Sequence, residues 1–262
     1  MPHRRTVLMG LLSTSLLPLA ATATRALAAG KGMPVEPDTI PTSAGDLIIQ
    51  PVNHASLVLT FGSDIIYVDP VGGGDRYLAF NKPTAIIITH DHPDHFDVKT
   101  LTAIAGSAKL IIGPKAVVAG LPAELQAKAK VLNNGDTGDI NGIPVTAVAA
   151  YNTTADRLKY HAKGDGNGYV LTFGPAKVYV AGDTEGTPEM AALKGIGIAF
   201  IPMNLPYTMT GEAAAAAVKQ FRPKIVYPYH YGKGSDEPQK FEAAMKSAPD
   251  VEVRLRDWYG YN

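Results

Sequence analysis

The residues best suited to metal chemistry are concentrated in residues 89–97, which read THDHPDHFD. This stretch holds three of the seven histidines in the chain, together with three aspartates. His90 and His92 are two residues apart, so in an extended segment their side chains leave the same face and can share one ion. The proline that follows turns the chain and directs Asp94 and His95 toward a second ion. Imidazole and carboxylate ligands favour Zn²⁺, with Mn²⁺ or Fe as alternatives. They do not favour Ca²⁺, which prefers a set of oxygen ligands only.

The other candidate ligands also follow apolar runs. Four runs rich in Val, Ile and Ala are each followed by a residue able to bind a metal, namely His90, Asn152, Asp183 and His230. In α/β proteins the carboxyl ends of strands hold functional side chains, because rigid strands fix the positions of the loops beyond them. We therefore expect these side chains, distant in sequence, to meet at one edge of the fold.

The composition limits the kinds of partner and ligand. The 262 residues are 46% hydrophobic and 18% charged, as in an ordinary globular protein. The formal net charge is zero, so there is no electrostatic case for a nucleic-acid partner or an acidic membrane surface. Cysteine is absent, which excludes disulfides, thiolate ligands and cysteine nucleophiles. A metal site must therefore use His, Asp, Glu, Asn or water.

The N-terminus has the pattern of an export signal. Arg4 and Arg5 give a basic start, residues 7–21 are mostly apolar, and residues 26–28 form a small-x-small cleavage pattern. Paired arginines are typical of the twin-arginine route, and an ordinary secretion signal is the alternative. We predict a signal peptide over residues 1–28 and a periplasmic or secreted protein with no stable membrane anchor after cleavage.

The rest of the chain predicts one α/β domain. Residues 29–42 are rich in Pro and Gly and are predicted to be a linker or arm, followed by the domain at residues 43–262. Short runs rich in Val and Ile predict strands at residues 47–52, 56–61, 65–69, 85–89, 109–112, 145–149, 169–173, 178–181, 198–202, 225–228 and 251–255. With Asp97 and Thr210 as N-caps for the first and third, helices are predicted at residues 97–105, 121–129, 213–221 and 237–246. Two sheets with flanking helices are the expected architecture.

The order of these motifs resembles that of a known family. The HxHxDH motif at residues 90–95, Gly-Asp-Thr at residues 182–184 and the late His230 are similar to the pattern of the metallo-β-lactamase fold. Asn-His-Ala-Ser at residues 53–56 and Val-Asp-Pro at residues 68–70 resemble its L-ascorbate-6-phosphate lactonase-like branch. The resemblance implies an αββα four-layer sandwich with a one- or two-ion site, usually zinc, at one edge.

The resemblance also implies a role for each ligand. In the family pattern the first ion would be bound by His90 and His92. With Asp183 bridging both ions, the second ion would be bound by Asp94, His95 and His230.

One ligand of the family pattern is missing. The family normally supplies a third histidine to the first ion at the end of the strand before the Gly-Asp strand, where this chain has Tyr151 and Asn152. Asn152 offers only a neutral oxygen, which is a poor ligand. His161, nine residues further on, could fold back to complete the site, or it could contact substrate or solvent. We predict His161 as the last ligand and keep Asn152 as the alternative.

The expected activity is hydrolysis. A divalent ion lowers the pKa of bound water from about 15.7 to about 7, so metal-bound hydroxide can attack an ester, lactone or phosphoester bond of a small molecule. Asp94 is expected to orient or accept a proton, and His54 to lie near the ions. Tyr207 is expected to donate a hydrogen bond to a developing oxyanion. The alternatives are a non-catalytic exported metal- or ligand-binding protein on the same fold and a phosphodiesterase, and the sequence leaves the substrate and oligomeric state open.

Overall fold

The computed structural model describes residue 1 and residues 35–260. The predicted signal peptide, its first residue apart, and the first part of the predicted arm lie outside the described residues. Within the part of the chain that is described, no helix has both the length and the apolar character needed to cross a bilayer.

The first seven strands form one sheet, in which spatial order follows chain order. The strands are β1 (Asp38–Thr42), β2 (Gly45–Asn53), β3 (Ser56–Phe61), β4 (Asp64–Val68), β5 (Ala85–Ile87), β6 (Leu110–Gly113) and β7 (Ala129–Val131). Neighbours are antiparallel from β1 to β4 and parallel from β4 to β7. The carboxyl ends of β4, β5 and β6 therefore lie along one edge of this sheet.

The other seven strands form a second sheet on the same plan. They are β8 (Thr137–Ile140), β9 (Ile143–Ala150), β10 (Gly166–Phe173), β11 (Ala176–Val180), β12 (Ile198–Pro202), β13 (Ile225–Tyr229) and β14 (Glu252–Val253). Pairing is antiparallel from β8 to β11 and parallel from β11 to β14. The carboxyl ends of β11, β12 and β13 again share one edge.

Helices cover the outer face of each sheet. They are α1 (Val98–Ile104), α2 (Lys115–Gly120), α3 (Ala123–Gln126), α4 (Pro188–Ala191), α5 (Gly211–Phe221) and α6 (Glu237–Met245), with short 3-10 turns at Gly74–Tyr77, Ala105–Ser107 and Ala155–Arg157. In β5, Ile86 packs with side chains of α1 and α2, whereas Ile87 packs against the second sheet. This alternation buries both faces of the strand, which explains its uninterrupted apolar sequence.

The layers follow from the three apolar clusters. One cluster lies between the sheets and joins side chains such as Leu47 and Tyr169, from the first and second sheet respectively. A second cluster packs α4, α5 and α6 on the second sheet, and a third packs α1, α2 and α3 on the first sheet. The αββα four-layer sandwich is therefore confirmed.

Several predicted elements differ from the structure. Residues 38–42, assigned to the arm, form β1, whose backbone pairs with β2 along the edge of the sheet. The helix predicted at residues 121–129 is shorter in the structure, where α3 covers only Ala123–Gln126, because Pro122 is extended and Ala129 begins β7. The short strands β7 and β8 and the one-turn α4 were not predicted from the sequence. The helices after Asp97 and Thr210 are confirmed, since both side chains accept backbone N–H groups of the following turn.

Candidate metal centre

The loop after β5 carries the HxHxDH motif into the site. β5 and the two residues that follow it are buried, so the point at which the chain leaves the sheet is fixed. The backbone then turns tightly, since the N–H groups of His95 and Phe96 both donate to the carbonyl of His92, at 2.9 and 2.8 Å. Asp97 caps α1 immediately afterwards. The motif is thus held between a buried strand and a capped helix.

Three histidines form the first cluster. His92 Nδ1 lies 3.2 Å from His90 Nε2 and 3.2 Å from His161 Nε2. His161 Nε2 also lies 3.3 Å from Asp183 Oδ2. The structure therefore brings His161 beside the two histidines of the motif, where the sequence predicts the last ligand of the first ion.

The second cluster surrounds the other oxygen of Asp183. Asp183 Oδ1 lies 3.1 Å from His230 Nε2 and 3.3 Å from His95 Nε2. Beyond them, Asp94 Oδ2 lies 3.4 Å from His230 Nε2 and 3.3 Å from His54 Nε2. Asp183 faces one cluster with each oxygen, as a bridging ligand would. The two clusters together contain all six histidines of the described residues.

Contacts at Nδ1 fix the orientation of two of these imidazoles. The carbonyl of Tyr207 lies 3.2 Å from His161 Nδ1, and a carboxylate oxygen of Asp69 lies 2.8 Å from His95 Nδ1. A carbonyl and a carboxylate can only accept, so each Nδ1 carries a hydrogen, and in the neutral ring each Nε2 presents a lone pair to its cluster. Metal-binding histidines are commonly oriented by such outer contacts.

Asp69 supports the site from behind, a role that sequence reasoning missed. This buried residue follows β4 and accepts hydrogen bonds from the Thr89 backbone N–H and from the Thr89 hydroxyl, each at 2.7 Å. Because the Thr89 hydroxyl donates to Asp69, it accepts from His90 Nδ1 at 3.0 Å, which again leaves Nε2 free to bind an ion. The available signal was the Val-Asp-Pro motif at the end of a predicted strand.

The loop between β9 and β10 carries His161 and is held by Glu185. The buried Glu185 carboxylate accepts the backbone N–H groups of Thr153 and Thr154, both at 2.6 Å, and pairs with Arg157. Burial raises the pKa of Glu185, but the hydrogen bonds from Thr154 and Thr153 outweigh it and lower the pKa to about 2. Glu185 stays ionised and anchors the loop, a role with no signal in the sequence.

Asn152, the alternative ligand, braces the same loop. Its backbone N–H donates to the His161 carbonyl at 2.9 Å. Its side-chain amide donates to the carbonyls of Tyr207 at 2.7 Å and Arg157 at 3.0 Å. These bonds join both ends of the loop to the segment that contacts His161 Nδ1, so Asn152 helps to position His161.

The two carboxylates of the site are held in the charged form. Burial raises the pKa of Asp183, but the imidazoles of His230 and His95 outweigh it and hold the pKa well below its ordinary value. Burial likewise raises the pKa of Asp94, but His230 and His54 outweigh burial when their rings carry a hydrogen toward its carboxylate, so its pKa is also lowered. Ionised carboxylates are the form in which Asp binds a metal.

The donor atoms fit a pair of metal ions. Three buried atoms, His95 Nε2, His230 Nε2 and Asp183 Oδ1, make no hydrogen bond within the described residues. Each of the two nitrogens nevertheless lies within 3.3 Å of the Asp183 oxygen. Zinc–nitrogen distances of about 2.0–2.1 Å in a tetrahedron place two ligand atoms about 3.3 Å apart. The nitrogens of the first cluster are 3.2 Å apart, which is close to this distance. The residues present therefore suit the nitrogen and oxygen ligation of Zn²⁺, Mn²⁺ or Fe.

The three residues predicted to be catalytic lie at or beside the clusters. Asp94 and His54 face each other in the second cluster, and the Asp94 side chain keeps 49% of its surface exposed. Tyr207 is 45% exposed, and its ring packs edge-on against Tyr160 at 5.1 Å between centroids. The part of Tyr207 that contacts a candidate ligand is its carbonyl, which lies beside His161 Nδ1.

A cavity of about 580 Å³ opens beside the first cluster. Its lining includes the candidate ligands His90, His92, His161 and Asp183, together with Tyr160 and Lys115. Cavities of several hundred cubic ångströms accommodate small organic molecules. A small molecule in this cavity would contact the candidate ligands directly.

Comparison with known proteins identifies the family. The model of the beta-lactamase superfamily domain matches residues 49–230. A protein of Nitratidesulfovibrio vulgaris, named UPF0173 metal-dependent hydrolase, is 31% identical over 192 residues, which are 68% of this chain and 77% of that protein. A metal-dependent hydrolase of the same name from Agrobacterium fabrum is 31% identical over 217 residues, which are 75% of this chain and 92% of that protein.

A solved structure agrees with these relatives. The crystal structure of a metal-dependent hydrolase from Parabacteroides distasonis superposes on this chain with a TM-score of 0.78 and 43% sequence identity. The match covers 85% of this chain and 99% of that one. The matched family domain contains every candidate ligand in the two clusters, from His54 to His230. The chain belongs to the metallo-β-lactamase superfamily and is a metal-dependent hydrolase.

Proposed function

We propose that the protein hydrolyses an ester, lactone or phosphoester bond of a small molecule with one or two zinc ions, or with Mn²⁺ or Fe in their place. The observation that carries this proposal is the convergence of imidazole Nε2 atoms on both oxygens of the buried Asp183. When bound, a divalent ion supplies hydroxide at neutral pH by lowering the pKa of its water from about 15.7 to about 7.

The chain's own residues would divide the remaining work. Asp183 would link the two ligand clusters, because each of its two oxygens faces one of them. Asp94 combines a lowered pKa with a half-exposed side chain, so it could orient a reacting group by accepting a hydrogen bond. Tyr207 packs against Tyr160, which lines the cavity, and its hydroxyl could donate to a developing oxyanion.

The residues that line the cavity are consistent with a small, weakly charged substrate. Its wall includes Pro114, Ala116 and Ala119, together with Lys115 and the carboxylates of Asp91 and Asp165. Charges of both signs beside an apolar surface favour a small ester or lactone over a polyanion such as a nucleic acid.

Export is a separate proposal that rests on Arg4, Arg5 and the apolar segment at residues 7–21. The mature protein would then act in the periplasm or outside the cell, on a small molecule and without a membrane anchor. Cell fractionation of the full chain tests this directly. We expect shortened protein in the exported fraction, which Arg4→Lys with Arg5→Lys should abolish; full-length protein in the cytoplasm would contradict export.

Turnover on a defined panel of substrates tests the hydrolase proposal. The purified protein is assayed on lactones, carboxylic esters, phosphodiesters and β-lactams, before and after removal of metal with a chelator. We expect chelator-sensitive cleavage of a lactone or ester that returns when zinc is added, and at least about 100-fold less activity in His90→Ala. Turnover confined to phosphodiesters would favour the phosphodiesterase. Stoichiometric metal without turnover of any substrate would contradict hydrolysis of these bonds.

A further inference from the structure

His54 is fixed at the turn between β2 and β3, far in sequence from the HxHxDH motif. Its backbone N–H donates to the carbonyl of Trp258 at 3.2 Å, and its own carbonyl accepts from the backbone N–H of His230 at 3.1 Å. Its φ of 50° is a left-handed value, which is uncommon for a residue with a Cβ atom. These contacts fix the backbone of His54 beside the second cluster.

A hydrogen-bond chain determines which nitrogen of His54 carries the hydrogen. The Tyr259 hydroxyl donates to the carbonyl of Tyr231. A tyrosine hydroxyl has one hydrogen, so toward His54 Nδ1, 2.7 Å away, the same oxygen can only accept. His54 Nδ1 therefore carries the hydrogen, and in the neutral ring Nε2 bears a lone pair.

This lone pair is directed at other acceptors. His54 Nε2 lies 3.3 Å from Asp94 Oδ2, and His230 Nε2 lies 3.4 Å from the same oxygen. All three donor atoms lie within 4.8 Å of one another. A lone pair on His54 Nε2 and a carboxylate oxygen at this distance repel unless a cation lies between them. The arrangement of His54 repeats that of His95, whose Nδ1 is tied outward and whose Nε2 faces the second cluster.

We propose that His54 is a fifth protein ligand of the second ion, and that Tyr259 is the positioning residue that sets its tautomer. The other ligands of this ion are Asp94, His95, Asp183 and His230. The proposal rests on the proposed metal-dependent hydrolysis only in that both require an ion at the second cluster. An ion held by Asp94 and His230 also disfavours a positive charge on the adjacent His54 ring, because like charges a few ångströms apart repel. His54 is thereby a metal ligand, and not an acid or base in the reaction.

Nitrogen-15 NMR of the histidine rings tests the ligand role without any assay of turnover. Spectra of the full chain are recorded without metal and after addition of two equivalents of zinc, and the His54 ring is assigned by comparison with Tyr259→Phe. We expect His54 to carry hydrogen on Nδ1 in both states and its Nε2 resonance to move to the position of a coordinated nitrogen with zinc. Hydrogen on Nε2 in the zinc-loaded protein, on that nitrogen alone or on both, would overturn the proposal.

Metal affinity in Tyr259→Phe tests the positioning role. The change keeps the ring but removes the oxygen that accepts from His54 Nδ1. Tyr231→Phe is the matched control, because the Tyr231 hydroxyl donates to the Arg256 carbonyl and its backbone carbonyl is retained. In zinc titrations against a chromophoric chelator, we expect the weaker of two binding steps to lose about 10–100-fold in Tyr259→Phe and to be unchanged in Tyr231→Phe.

The outcomes separate this inference from the proposed hydrolysis. Equal affinity of both ions in wild type and Tyr259→Phe would remove Tyr259 from the site, whatever the protein hydrolyses. A single binding step that is lost with His161→Ala and kept with Tyr259→Phe would show that only the first cluster holds an ion, and would overturn the proposal for His54. Loss of turnover with both binding steps intact would count against the proposed hydrolysis alone.

Discussion

The two halves of the molecule share a strand plan but deliver their site residues differently. In each half, antiparallel strands are followed by parallel ones whose carboxyl ends meet at one edge. The first half supplies four candidate ligands from the single loop after β5 and one, His54, from the turn after β2. The second half supplies His161, Asp183 and His230 from three separate connections, after β9, β11 and β13.

An aspartate follows the last antiparallel strand of each half, and the two serve different purposes. Asp69 follows β4 and turns inward, where it accepts from Thr89 and from His95. Asp183 follows β11 and faces both ligand clusters. The loop after β5, with its several candidate ligands, thus has one buried support behind it, whereas His161 in the second half is held by separate contacts from Glu185 and Asn152.

The largest expected effect comes from Asp183→Asn, which removes the charge that joins the two halves. An amide cannot hold two cations as a carboxylate does, so we expect activity to fall about 10³-fold and one or both ions to be lost. Activity on the best substrate and metal content are measured together. Asp165→Asn is the control, since Asp165 lines the cavity and is exposed. Equal activity in Asp183→Asn and wild type would contradict the bridging role.

The next largest effect is expected on stability, from Asp69→Asn. The change replaces one carboxylate oxygen by an NH₂ group, which faces the donors of Thr89 or His95 and leaves a buried polar group without a partner. We therefore expect a loss of about 3 kcal/mol in the free energy of unfolding. Urea denaturation in the presence of a chelator measures this apart from metal binding. Asp46→Asn, an exposed change in the same sheet, should be within about 0.5 kcal/mol of wild type. Equal denaturation midpoints for Asp69→Asn and Asp46→Asn would refute the supporting role.

The sequence predicted the first half of the site better than the second. The ligands of the HxHxDH motif lie within six residues, so their spacing alone indicates how they share ions. His161 could only be proposed, because its place depends on contacts of its loop with Glu185 and with the Tyr207 carbonyl, both distant in the chain. Hydrogen bonds between residues so far apart in the chain depend on the tertiary structure, so no local sequence pattern reports them.

The fold shows the same division between local and long-range information. Buried strands such as β5 and β12 have apolar runs that identify them directly. The edge strand β1 and the short β7 and β8 have few buried side chains, and their structure comes from pairing with a neighbouring strand. Tertiary pairing therefore decides these segments, whatever their local propensity.

Glu185→Gln should affect the second half selectively. The charge that holds the His161 loop is lost, so we expect about tenfold weaker binding of the first ion and a loss of about 1–2 kcal/mol in stability. Zinc titration resolves the two binding steps. Glu212→Gln, an exposed change on α5, serves as the control. Weaker binding of the second ion alone would contradict the role of Glu185 in holding the His161 loop.

The smallest effect is expected where Asp38 links the two halves. Asp38 on β1 accepts from the Tyr227 hydroxyl at 2.7 Å and pairs with Arg256. Burial raises the pKa of Asp38, but Arg256 and Tyr227 outweigh it, so the pKa is lowered. A lowered pKa in the folded state contributes stability above the ordinary pKa of about 3.9, and that contribution is lost as the pH falls through the folded value.

The variant Asp38→Asn isolates this contribution. Because the pair is partly exposed, we expect it to be less stable than wild type by at most about 1 kcal/mol at pH 7, with the difference shrinking below about pH 4. Thermal denaturation across this pH range measures it. A difference that grows as the pH falls would have the wrong sign for this assignment.

The metal content of wild type and His161→Ala tests most directly whether both halves complete one two-ion site. Each protein is loaded with zinc, freed of loosely bound metal by gel filtration, and measured by elemental mass spectrometry against protein concentration. We predict two ions per chain in wild type and one in His161→Ala, since the second cluster keeps Asp94, His95, Asp183 and His230. Two ions in both proteins would show that His161 is not a ligand and would contradict the account.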